Sequence, residues 1–159
     1  MKTIILMRHG HAYSAMQSGV SSDESRPLSE DGIEGAIRAA TELKRKNITP
    51  DCIISSPLLR AVQTAQEAGA VFGLQPETEI RLSGAFTVQE MWEHGLATRL
   101  KKHDIVLAIG HLPGIGILAG ALLGKGELPI PAGGFYVLKL DGEPHPLGVV
   151  QAALDFAYL

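Results

Sequence analysis

The chain opens "MKTIILMRHGHA" (residues 1–12), an apolar run from Ile4 to Met7 that ends on Arg8, His9 and Gly10. So short and clean a run reads as a strand buried on both faces, the mark of a parallel sheet. Open α/β sheets bind ligands beyond the carboxyl ends of their strands. A cation and an imidazole at such an end raise the question of which other residues reach the same edge.

Two later segments repeat the shape. "CIISSPLLR" (52–60) and "LAIGHLPG" (107–114) each run from apolar strand to cation or imidazole. In a parallel sheet all three ends share one edge, so Arg8, His9, Arg60 and His111 are expected to converge there. Two guanidinium groups and two imidazoles on strand ends and a helix start form a small anion pocket. The planar fork of Arg suits phosphate oxygens bidentately. Arg60 falls in the first turns of its helix, where backbone N–H groups and the dipole also favour an anion.

Strands and helices alternate between these segments. A polar loop (13–27) leads to a helix with Ser29 as N-cap, Glu30 and Asp31 in its first turn, and an apolar stripe of Ile33, Ala36, Ile37, Ala40 and Leu43. "CIIS" (52–55) is the second buried strand. The next helix is expected to take Ser56 as N-cap and Pro57 as its first residue, and to close at Gly73. "ETEI" (77–80) reads as a short strand. Thr87 and Glu90 form a capping box for a helix whose stripe is Val88, Met91, Trp92, Leu96 and Leu100. "IVLAIG" (105–110) is a strand, followed by a short apolar helix ending near Gly124. "FYVLKL" (135–140) alternates like a strand, and "GVVQAALDF" (148–156) reads as a late one. The pattern predicts an α/β fold: a three-layer αβα sandwich around a mostly parallel, mixed sheet. With 159 residues, no internal repeat and no linker, a single domain over 1–159 is expected.

Apolar residues make up 45% of the chain, a globular composition, and the net charge of −3 argues against a nucleic-acid partner. The apolar segment at 114–124 is too short to span a bilayer, and no signal peptide is evident, so neither a membrane role nor export is expected. A lone cysteine, Cys52, suits a cytoplasmic setting and reads as core filler. Zinc on His9, His11 and His111 is the competing reading of the histidines. Two neighbouring arginines would repel a dication, and no carboxylate or thiolate is placed to complete a shell, so no metal and no cofactor are expected. His94, His103 and His145 fall on helix or loop surfaces, with no specific role. Ser14 and Ser18 read as solvated loop residues.

"LMRHG" (6–10), "RPLSEDG" (26–32), "SSPLLRAVQTA" (55–65) and "IGHLPG" (109–114), in that order, resemble the histidine phosphatase superfamily, which includes phosphoglycerate mutases and acid phosphatases. "RPLS", the "SPLLRAVQTA" run and "HLPG" most resemble its short bacterial SixA-type branch, the phosphohistidine phosphatases. The resemblance implies a phosphoglycerate mutase-like fold and a phosphohistidine intermediate on His9. It implies that Arg8 and Arg60 grip the phosphoryl oxygens and that His111 adds a hydrogen bond. Arg26, in "SRPL", has a place in the family pattern that suggests a contact near the phosphate; the other reading is that it anchors the loop. The flanking arginines should lower the pKa of His9, and a carbonyl near Gly10 could hold its other proton.

The sequence departs from the family at one point. Many members carry a general-acid Glu just after the third strand, but "IRLSGAFTV" (80–88) holds no carboxylate. His11, Asp23 and Glu24 are loop candidates for that role, and Glu90 and Glu93 come later, in a helix. A phosphohistidine substrate needs such an acid least. The expected partner is thus a phosphorylated protein, such as a phosphotransfer domain, or a small phosphate ester. The alternatives to a protein phosphohistidine phosphatase are a small-molecule phosphomonoesterase and a non-catalytic phosphate-binding module.

Overall fold

The computed structural model describes residues 1–84, 86–142 and 151–159. Its centre is a six-stranded sheet of β1 (Thr3–Arg8), β2 (Cys52–Ser55), β3 (Glu77–Thr78), β4 (Ile105–Gly110), β5 (Phe135–Leu140) and β6 (Ala152–Tyr158), in the order β3-β2-β4-β1-β5-β6. The pairs β1–β4, β2–β4 and β2–β3 are parallel, and β1–β5 and β5–β6 are antiparallel. The sheet is therefore mixed and mostly parallel, as the alternation of segments predicts.

Alternate side chains of each strand enter opposite layers. Ile5, Met7, Ile53, Leu107 and Ile109 pack under α2 (Glu30–Arg45) and α3 (Leu59–Phe72). Those helices present mostly alanines, Ala39 and Ala40 from one and Ala61, Ala65 and Ala68 from the other, so they lie close to the sheet. Ile4, Leu6, Ile54, Val106 and Ala108 face the second layer. That layer holds α6 (Gly114–Leu123) and a helical run made of α4 (Val88–Glu90), a π-helical segment (Met91–Leu96) and α5 (Ala97–Leu100). Met91, Trp92, Leu96 and Leu100 are buried there. The loop after β1 carries the one-turn α1 (Ala15–Ser18) and a 3₁₀ turn (Asp23–Ser25).

Several caps are where sequence places them. Ser29 Oγ accepts from the Gly32 N–H at 3.0 Å, Thr87 and Glu90 close a reciprocal box, and Gly73 and Gly124 are left-handed C-caps. Other expectations are corrected. Helix α3 begins at Leu59 with Leu58 as N-cap and no side-chain cap, two residues later than the "SP" signal suggests. The Ser56 N–H instead continues the sheet ladder to the Ile109 carbonyl at 3.0 Å. Ile33 and Ile37 are 37% and 40% exposed, and Ala39 takes the core side of α2. Ser14 is not a plain solvated residue, for it caps α1 with Gln17 in a reciprocal box. The late strand starts at Ala152; residues 148–150 and His145 lie outside the described residues.

The start of α2 meets the turn after β1 backbone to backbone. The Ser29 N–H and Oγ–H both donate to the His11 carbonyl, at 2.9 and 3.0 Å. A Cβ on Gly10 would stand 2.7 Å from the Gly32 carbonyl oxygen, and a Cβ on Gly32 would land on the His11 carbonyl oxygen. The last residue of "RPLSEDG" is glycine because no side chain fits. Overpacking of this kind costs about 3 kcal/mol when neither neighbour can move, so Gly32→Ala is expected to lower Tm by about 6–12 °C. Thermal melting followed by circular dichroism checks this, and an unchanged Tm would show that the contact yields.

Candidate active site

The carboxyl ends of β1, β4 and β2 are neighbours, and the strand register aligns the residues just beyond them. Arg8 pairs with Gly110 and Ser55 with Ile109, and the His9 N–H reaches the Gly110 carbonyl at 3.1 Å. Arg8, His9, Ser56 and His111 are thereby brought to one edge. Arg60 joins them as the second residue of α3. The rings of His9 and His111 stand 5.0 Å apart between centroids.

His9 Nδ1 lies 2.7 Å from the Gly10 carbonyl oxygen. A carbonyl only accepts, so Nδ1 carries the proton and the lone pair of the neutral ring is on Nε2. Burial lowers the pKa of His9 to about 4, with further lowering from the charges of Arg60, Arg8 and Arg26; the Gly10 bond opposes this. Burial, more than the arginines, keeps the ring neutral. The turn that holds Gly10 is itself buttressed. Its N–H donates to Thr64 Oγ1 at 3.0 Å, and Thr64 donates to the Arg60 carbonyl at 2.7 Å. Thr64 is fully buried, and sequence reasoning passed it over although it sits four residues beyond Arg60 on the same helix face.

Arg8 donates through Nη1 to the Ile130 carbonyl at 3.2 Å, and its buried Nε has no protein partner among the described residues. Arg60, 8% exposed, donates through Nη1 to the Asp23 carbonyl at 2.8 Å and through Nη2 to the Asp23 carboxylate at 3.1 Å. Arg26 donates through Nε to the Tyr13 carbonyl at 2.8 Å and through Nη1 to Asp23 at 2.9 Å. It thus anchors the loop while its charge acts on His9. His111 is buried, and its Nε2 meets Ser56 Oγ at 2.7 Å. Burial also holds its pKa down to about 4, with the charges of His9 and Arg60 adding to the effect.

Of the carboxylates that sequence raises, Asp23 and Glu90 are committed to other partners. Hydrogen bonds from Arg26 and Arg60 hold Asp23 below the usual carboxylate range, and Glu90 is fixed by the Thr87 cap. Glu93 is half-buried, 3.9 Å from His94. Glu24 and His11 are both exposed, and His11 Nδ1 stands 3.4 Å from Ser29 Oγ. One carboxylate follows β3 directly, the buried Glu79, which sequence reasoning did not single out. It is engaged by Arg99 at 2.6 Å and Arg81 at 3.2 Å, and is held ionised. Cys52 is buried, with its thiol pushed up to about 11, far from a nucleophile's range. Among the described residues, no three His, Cys, Asp or Glu side chains gather as a metal-ligand group.

Two histidines kept neutral by burial have a signed consequence. Their folded pKa values lie below the unfolded 6.5, so the unfolded chain binds more protons between pH 6.5 and 4. Stability is full above pH 6.5 and is expected to fall as pH drops toward 4. A ¹⁵N NMR titration should find His9 protonated on Nδ1 with a midpoint near 4. A midpoint near 6.5 would contradict the buried, neutral ring.

The sequence profile of the histidine phosphatase superfamily (branch 1) matches residues 4–103. Phosphohistidine phosphatase SixA of Escherichia coli K12 is 32% identical over 136 residues, covering 79% of this chain and 76% of the relative. A structure of the protein histidine phosphatase SixA complexed with tungstate superposes with a TM-score of 0.83 at 26% identity, covering 98% of this chain and 95% of that one. A SixA-like structure from Nakamurella multipartitia gives 0.82 at 25% identity, covering 99% and 95%. With its motifs on one sheet edge and its profile matched over most of its length, the chain belongs to the histidine phosphatase superfamily.

Proposed function

We propose that this chain is a phosphohistidine phosphatase that works on phosphorylated proteins through a phosphohistidine intermediate on His9. The observation that carries it is the 2.7 Å bond from His9 Nδ1 to the Gly10 carbonyl. It leaves Nε2 unprotonated, among Arg8, Arg60 and Arg26. Nε2 attacks phosphorus, the bond from phosphorus to the substrate's imidazole nitrogen breaks, and that nitrogen keeps the electron pair and takes a proton. Water then attacks the phosphoryl group on His9 and releases phosphate, returning the lone pair to Nε2. Phosphoryl transfer asks the protein for position and charge more than for covalent work, which two guanidinium groups and His111 supply. The SixA relative was solved with tungstate, a tetrahedral oxyanion of phosphate's shape.

The leaving group decides the substrate class. A phosphoramidate can take its proton from solvent, whereas an alkoxide needs a positioned donor. Asp23, the carboxylate beside Arg60, is paired with arginine, and Glu90 is bound into a cap. An open groove of about 500 Å³, lined by Asp23, Glu24, Pro57, Leu58, Ile80 and Ser83, adjoins Arg60 through Asp23 and leaves room for a protein surface. The SixA name of the relatives points the same way.

His9→Ala should abolish turnover and ³²P labelling of the enzyme while leaving Tm near that of the wild type. Labelling that persists in this variant would remove His9 from the role. Arg60→Ala and Arg8→Ala should each weaken orthovanadate binding by about 1.5–3 kcal/mol.

Alkyl phosphates should fall about 10²–10⁴-fold below phosphoramidates in kcat/KM, with aryl phosphates between. A flat dependence on leaving-group pKa would reveal an unrecognised acid. Exhaustive chelation with EDTA should leave turnover unchanged, since guanidinium charges surround the nucleophile; restoration by one divalent ion would overturn that.

A further inference from the structure

Ser56 comes directly after β2 and is wholly buried. Its Oγ accepts from the Leu58 N–H at 3.2 Å and meets His111 Nε2 at 2.7 Å. Backbone N–H groups only donate, so the contact with Leu58 leaves the hydroxyl proton uncommitted. Among the described residues, His111 Nε2 is the acceptor within its reach. The other ring nitrogen, Nδ1, is buried and has no protein partner among the described residues. It belongs to a ring that stands 5.0 Å from that of His9.

We infer that Ser56 is a positioning residue: by donating its hydroxyl proton to Nε2, it holds His111 as the Nδ1–H tautomer and so turns a neutral imidazole into a donor for the phosphoryl oxygen. This rests on the phosphatase reading above and adds the means by which His111 serves it. A neutral imidazole has one proton for two nitrogens, so its partner on one side decides its role on the other. The reverse arrangement, Nε2–H donating to Oγ, strands the buried hydroxyl proton. It also turns a nitrogen lone pair toward phosphoryl oxygens, which repels them. The ring cannot escape the choice by becoming imidazolium at neutral pH, because burial and the nearby charges oppose a second proton. Ser56 thus acts at long range, 55 residues from the ring it orients, and its place in "SSPLL" is explained by His111 and not by helix capping.

Long-range ¹H–¹⁵N NMR of the wild-type protein at pH 7 reads the tautomer without any variant. Nδ1 protonated and Nε2 bare is the expected result; the opposite pattern would overturn the inference. Ser56→Ala should move the proton to Nε2 and weaken orthovanadate binding on the order of 10–100-fold, the worth of one charge-assisted bond. Ser56→Thr, which keeps the hydroxyl, should restore the Nδ1–H signal and most of the affinity. A merely structural serine would change Tm without moving the tautomer. Ser56→Ala with an unchanged tautomer and unchanged vanadate affinity would refute the assignment. Failure of the wild type to bind vanadate or to become labelled on His9 would instead overturn the phosphatase reading, and the NMR pattern would still decide the role of Ser56.

Discussion

The bond from His9 Nδ1 to the carbonyl of the next residue is the constraint on which the site depends. An imidazole bonded back onto its own chain can hold its tautomer only if the peptide unit does not turn. The structure therefore clamps Gly10 from both sides. Thr64 takes its N–H from below, the start of α2 presses against it, and the glycine at each point of contact lets backbone touch backbone. The strand end, the first turn of α3 and the first turn of α2 are in this sense one device. The helical layer on that face is built largely of alanine, which keeps its two helices near enough to the sheet to supply the clamp.

The two imidazoles solve the same problem in different ways. His9 is held by a carbonyl next to it in sequence, and His111 meets a hydroxyl far from it in sequence. Both are kept neutral chiefly by burial. In the mechanism proposed for His9 this matters, because an imidazolium has no lone pair to offer. The charges of Arg60, Arg8 and Arg26 add to the effect of burial in opposing protonation of the ring.

Much of this was legible in the chain. Short apolar runs with a cation or imidazole behind them named the strands and the sheet edge, because burial on both faces leaves little room for polar residues. Caps set by neighbours three residues away, at Ser29 and Thr87, could be read for the same reason: their partners are local. Ser56 could not. Local rules made it a helix cap, while its actual partner arrives just beyond the end of another strand. Thr64 and Gly32 were hidden in plain motifs, since their roles exist only once α3 and α2 lie against the turn after β1. Ile33 and Ile37 fit a helical stripe, but the sheet accepted the small Ala39 in their place, because close packing was worth more there than bulk. The π-helical segment from Met91 to Leu96 has no sequence signature that marks it.

The pairing of Asp23 with Arg60 and Arg26 bears on charge balance. Three guanidinium groups act on His9, from Arg8, Arg26 and Arg60, and one carboxylate is tethered among them. With both histidines neutral, the sum is two positive charges, equal and opposite to a phosphoryl dianion. A monoanion such as chloride leaves that sum uncompensated and must compete with a carboxylate held in place by the chain at high effective concentration. A charge of minus two is the one that balances that sum. By this arithmetic the charge around His9 is matched to a dianion, and the match is set by a residue whose own charge is negative.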